Sequence, residues 1–122
     1  MKAEQLPLGR QLELVFKEIQ PELNHLQSGT LSIQIRENVV GKFGIRHLPI
    51  ESREGQFTPH HEHGLSEIQQ RLFRKMITES LKNKQHWTHG EIVFDFAVRR
   101  GEFCASVMYE SNYNMSSLRA KG

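Results

Sequence analysis

Four consecutive residues, His60-His61-Glu62-His63, form the most chemically suggestive stretch of this chain. In an extended segment His61 and His63 project to the same side, so their imidazoles can share one metal ion. A stable site takes three or four ligands with an ordered shell of hydrogen-bond partners behind them. His47 or His89 would have to supply the third ligand through tertiary contact. The competing reading is a solvated loop, because two ligands alone hold a metal weakly. A second constellation lies in residues 91–110. There Asp95 is set across from Ser106, and the two can serve either a ligand or a simple cross-strand hydrogen bond. Cys104 is the single cysteine. A nucleophilic thiol needs a cationic or helix-terminal setting to lower its pKa. A mid-strand position supplies neither, which leaves Cys104 a packing role. The sequence carries no phosphate-cradling glycine loop, no paired catalytic carboxylates and no triad motif. No resident cofactor is expected, and the balance favours a non-enzymatic protein.

The basic residues Arg71, Arg74, Lys75 and Lys82 fall in one helical stretch. Glu67 precedes Arg71 by four and Glu79 follows Lys75 by four, so intrahelical pairing accounts for them. With a formal net charge of +2 and no aromatic stacking platform, a nucleic-acid partner is not expected.

The elements that must position these groups are read from periodicity. Leu12, Val15, Phe16, Ile19, Leu23 and Leu26 mark one face of a helix. Pro21 lies inside that pattern, so the helix either ends near Ile19 with a further turn after it or continues with a kink. Residues 30–36 alternate, with Leu31, Ile33 and Ile35 on one side. Residues 42–48 form the return strand with Phe43 and Ile45 inward. The matching parity of these positions predicts an odd-numbered loop with a bulge, Gly41 being its left-handed residue. Residues 49–64 read as a long polar loop, mobile over about 51–63. Ser66 and Gln69 form a capping box for a second helix. Its apolar face is drawn through Leu65, Ile68, Leu72, Phe73, Met76, Ile77 and Leu81. Trp87, just before the last hairpin, is read as a lid on the core.

Residues 91–110 dictate their own pairing. Arg100-Gly101 can form a two-residue turn. Folding about it sets Arg99 opposite Glu102, then Val98 with Phe103, Phe96 with Ala105, Phe94 with Val107 and Ile92 with Tyr109. All of the latter are apolar, so this face must be covered, and a one-residue slip would turn every one to solvent. The opposite face carries Val93, Asp95, Ala97, Cys104, Ser106 and Met108. That mixture is too polar for a core and too apolar for an ordinary solvated surface.

These elements predict an α+β fold of helix, hairpin, helix, hairpin: one four-stranded antiparallel sheet with both helices on one face. The 122 residues suit one domain, with a frayed tail over about 116–122. No run is apolar and long enough to span a membrane. The first residues lack the continuous apolar core of a signal peptide. One cysteine allows no intrachain disulfide. The expected location is the cytoplasm.

A helix leading to Trp87-Thr88, two strands joined at Gly101-Glu102-Phe103, and an ending in Tyr109-Glu110 together resemble the YezG-like family of small bacterial immunity (antitoxin) proteins. The resemblance covers residues 65–114. It implies a protein that neutralises a toxin domain by steric capture. Many nuclease inhibitors are acidic whereas this chain is slightly basic, which implies a different kind of target. The reading is therefore a cytoplasmic protein-binding module. Its candidate contact surface is Val93, Asp95, Ala97, Cys104, Ser106 and Met108, and its partner is another protein or a second copy of itself. The alternative is a small metal-dependent enzyme or ligand binder built on His61 and His63, and a second alternative is a homodimer of unknown role whose sheet face is its own interface.

Overall fold

Three times the chain reverses through two successive left-handed residues. These are Glu37-Asn38 (φ 50° and 63°), Glu54-Gly55 (φ 52° and 80°) and Arg100-Gly101 (φ 52° and 79°). Positive φ at both central positions gives a turn whose twist matches that of paired strands, so each of the three closes a two-residue hairpin. In the computed structural model, residues 6–48, 52–57, 63–84, 87–113 and 115 are described. Helix α1 (Leu8–Leu23) leads into the hairpin β1 (Ser28–Arg36) and β2 (Val39–Arg46). A short ribbon follows, β3 (Ser52–Arg53) with β4 (Gln56–Phe57). Helix α2 (Glu67–Ser80) then precedes the hairpin β5 (His89–Arg99) and β6 (Glu102–Ser111).

The fold is α+β, with two helices and a four-stranded antiparallel sheet in the order β2-β1-β5-β6. The β5–β6 register runs unbroken from Gly90 opposite Ser111 to Arg99 opposite Glu102, with Phe94 facing Val107. The two hairpins join through β1 and β5, also without a shift, from Ser28 opposite Ala97 to Arg36 opposite His89. Leu31, Ile33, Ile35, Ile92, Phe94 and Phe96 thus share one face, and all are buried. Both helices bury their stripes in the same cluster. Phe73 of α2 meets Phe16 of α1 edge-on at 6.2 Å between ring centroids and Phe94 of β5 edge-on at 6.1 Å. Its ring also lies 4.9 Å from that of Phe96 and 5.6 Å from that of Phe103. Trp87, 2% exposed, caps one end of this core.

Two buried glutamines close the polar gaps between layers. Gln11 donates to the carbonyls of Leu6 and Asn38 and accepts from the Val40 amide at 2.7 Å, which ties α1 to the β1–β2 turn. Gln70 donates to Asn24 and to the Leu65 carbonyl and accepts from Gln20, which ties α2 to the end of α1. No buried side-chain nitrogen or oxygen among the described residues is left without a partner.

Four expectations need correction. The β1–β2 loop is the even-numbered Glu37-Asn38, and the parity mismatch is absorbed within the strands, where the register shifts between Ile33 and Ile35. Asn38 takes the left-handed role assigned to Gly41. It is held there because its side chain accepts from the Trp87 amide at 3.0 Å. Residues 52–57 of the predicted loop form the β3–β4 ribbon, so helix and hairpin do not simply alternate. Residues 58–62 of that loop and the predicted frayed tail, 116–122, lie outside the described residues. Of the apolar face drawn for α2, Leu65, Phe73, Met76, Ile77 and Leu81 pack in the core, but Ile68 and Leu72 are 67% and 50% exposed, and Gln70 and Ser80 are buried in their place. The capping box fixes where α2 begins, and Gln70 must reach Asn24, so the helix is rotated away from the phase that apolarity alone implies. Of the two readings at Pro21, the chain adopts one continuous helix to Leu23.

Phe73→Ala should destabilise the fold by about 3–5 kcal/mol, since it removes the ring shared by four aromatic neighbours. A shift of the urea midpoint measures this, and a variant that unfolds like wild type would refute the hub. Gln11→Leu should cost about 1–3 kcal/mol, because the Val40 amide and Asn38 carbonyl lose their buried partner. The same titration reads it.

Candidate functional site

Successive strand residues point to opposite faces, so burying Phe94 and Phe96 turns Val93, Asp95 and Ala97 outward. The register then sets the outer face in rows. Gly44, Ser32, Val93 and Met108 make one row, and Arg46, Thr30, Asp95 and Ser106 the next. Ser28, Ala97 and Cys104 make a third. All six residues singled out in the sequence therefore lie on one surface, on neighbouring strands. Val93 and Ala97 are half-buried, and Asp95, Cys104, Ser106 and Met108 are exposed.

Asp95, Ala97, Cys104 and Ser106 line a shallow depression of about 520 Å³, with Leu48 and Arg99 at its margin. Leu48 is 56% exposed and Met108 61%. The expected hydrogen bond between Asp95 and Ser106 is replaced by one across the other neighbour: the Thr30 hydroxyl donates to Asp95 Oδ1 at 2.6 Å. Ser106 does lie opposite Asp95 in the ladder, but Thr30 sits on the β1 side and fixes the carboxylate there. Which strand flanks β5 on that side depends on the sheet order, which local pattern does not reveal.

Charge on this face is mixed, with Arg99 of β5 opposite Glu102 of β6 and Arg36 on β1. Lys42 and Arg46 stand on β2, while Glu91 and Asp95 on β5 and Glu102 and Glu110 on β6 supply the acids. The face thus carries apolar side chains in its central row, a carboxylate fixed by Thr30 beside it, and charges of both signs around them.

The histidine constellation is only partly placed. His61 lies outside the described residues, and His63 is exposed. Among the described residues no three His, Cys, Asp or Glu side chains converge on a metal-sized site. His47, one proposed third ligand, bonds Glu22 of α1 through Nε2 at 2.6 Å. His89, the other, begins β5 and is exposed. Cys104 is exposed and so does not fill the packing role expected of it; its Sγ has the Glu102 carbonyl at 3.9 Å as its partner, and Asp95 and Arg99 line the same depression.

Comparison of the chain with protein-family models, with curated proteins and with solved structures returned no match in any of the three. Among the described residues no helix is long and apolar enough to cross a membrane.

Thr30→Val keeps the β-branched shape that suits a strand and removes only the bond to Asp95. The stability loss should stay within about 1 kcal/mol, because both partners reach solvent. Equilibrium unfolding would contradict this with a loss of several kcal/mol, and Asp95 would then have a structural role.

Proposed function

We propose that this protein is a non-enzymatic, cytoplasmic protein-binding module, immunity-like in the manner of the YezG-like proteins that its last third resembles. It captures its partner on the outer face of the sheet. In this reading the chain is two helix–hairpin units, Leu8–Leu23 with Ser28–Arg46 and Glu67–Ser80 with His89–Ser111, and the β3–β4 ribbon is an insertion between them. The two hairpins merge into one sheet and both helices serve to brace it.

One observation carries the reading. The helices occupy only the inner face, and Met108, a large apolar side chain, stands 61% exposed in the central outer row beside Val93. Exposed apolar area mounted on rigid strands favours contact with another protein, since covering it releases ordered water. Asp95, held by Thr30, adds a directional acceptor. Around it Glu91 and Glu110 on β5 and β6, Arg99 beside Glu102, and Lys42 and Arg46 on β2 offer charges of both signs, which can fix the register of a bound partner.

The test is binding to the polypeptide encoded beside this chain's gene. Met108→Lys or Val93→Lys should weaken the complex at least tenfold, about 1.4 kcal/mol, without changing the melting temperature. The double change His61→Ala with His63→Ala should leave affinity intact. If the histidine change abolishes activity and the sheet-face changes are silent, the metal-dependent reading replaces this one.

A further inference from the structure

We infer that β6 is the pairing edge for a second copy of this chain, joining two four-stranded sheets into one of eight strands. This goes beyond capture on the outer face and does not depend on it. In the sheet order β2-β1-β5-β6, both β2 and β6 are edge strands. The β2 edge is guarded by a register shift, by Gly41 and Gly44, and by Lys42 and Arg46. Features of this kind disfavour addition of a further strand. The β6 edge has no glycine and no basic residue, and its charges, Glu102 and Glu110, stand near its two ends. It runs from Glu102 to Ser111 without proline, lysine or a register shift.

The hydrogen-bonding phase of that edge is fixed. The Asn112 amide donates to the His89 carbonyl at 2.8 Å, which marks those two as a hydrogen-bonded pair. Pairs of this kind alternate along an antiparallel ladder. The backbone groups of Phe103, Ala105, Val107, Tyr109 and Ser111 therefore point away from β5, and no strand among the described residues meets them. A two-fold axis through Val107 engages all five with their counterparts. No centre elsewhere on the strand does so.

That register is also self-complementary in its side chains. On the inner face Ala105 faces Tyr109 of the other copy, small against large, and Val107 faces itself. On the outer face Ser106 faces Met108, Cys104 faces Glu110, and Glu102 faces Asn112. No like charges oppose one another. Above the edge a cleft of about 510 Å³ separates α2 from β6, with Leu72 and Met76 on one wall and Val107 on the other. The half-exposed Leu72 is one of the two apolar positions of α2, with Ile68, that the core leaves uncovered. Pairing at β6 brings it toward its own copy, beside the mixed charges of Lys75 and Glu79. Isologous contacts of this kind close after two subunits. The outer faces then run together, and the Ser106 and Met108 positions of both copies form one surface.

Sedimentation of the full chain across micromolar to submillimolar concentration should show a dimer. Ala105→Pro should yield a folded monomer with unchanged circular dichroism. Its outward N–H is not used in the β5–β6 ladder, so proline removes only the edge donor. A wild-type chain that stays monomeric overturns the inference, as does a folded Ala105→Pro variant that remains a dimer. If that variant does not fold, a cross-link decides. In a Cys104→Ser background, Ser106→Cys with Met108→Cys places thiols on facing residues of a non-hydrogen-bonded pair, about 4.5 Å apart at Cα and within disulfide reach. Mild oxidation should give a covalent dimer, and its absence counts against the Val107 axis.

Discussion

Phe73 is the contact on which the rest of the fold depends. One ring on α2 touches Phe16 of α1, Phe94 and Phe96 of β5, and Phe103 of β6. It joins both helices to both strands of the second hairpin. Edge-to-face packing has directional preference as well as area, so the ring constrains how α2 sits over the sheet. Burial of Phe94 and Phe96 follows, and strand alternation then exposes Val93, Asp95 and Ala97. The outer surface is thus the geometric complement of the core. Selection on either face acts through the register of β5.

The buried glutamines add directional bonds to the apolar packing that holds the two amphipathic helices in position. Gln11 spends its amide on the β1–β2 turn, and Gln70 reaches α1 at Gln20 and Asn24. Each network is fully paired, which is the condition for a buried polar group to specify a position without a net penalty. Asn38 extends the first network to Trp87. The ring of Trp87 in turn leaves no room for a side chain at Gly90, where a Cβ would lie 2.6 Å from it. One end of the sheet is therefore set by a chain running from α1 through the first turn to the start of β5.

What the sequence disclosed was local. The β5–β6 register could be read because Arg100-Gly101 fixes a turn and every inward pair is apolar. The α2 capping box could be read because Ser66 and Gln69 have the required spacing. The failures were tertiary. Glu37 and Asn38 carry no glycine, and their left-handed turn rests on bonds to Trp87 and Thr88 that exist only in the folded chain. Gln11 and Gln70 look like surface residues until the layers close on them. Glu54-Gly55 had the same acidic-or-basic residue plus glycine character as Arg100-Gly101, but the strands beside it are only two residues long, too short for periodicity to register. For the candidate site, alternation alone placed all six residues on one face, while the Thr30–Asp95 bond needed the sheet order.

A one-sided sheet, braced within and open without, is the central claim. Cys104 is the native probe of it, since it is the single thiol of the chain and stands on the outer face of β6. Thiol labelling of the native protein measures that openness directly. The account predicts that Cys104 reacts within about tenfold of its rate in the unfolded chain, because no element among the described residues covers it. Protection by more than about a hundredfold, with reactivity governed by global unfolding, would show the outer face to be covered by the chain itself and would contradict the account.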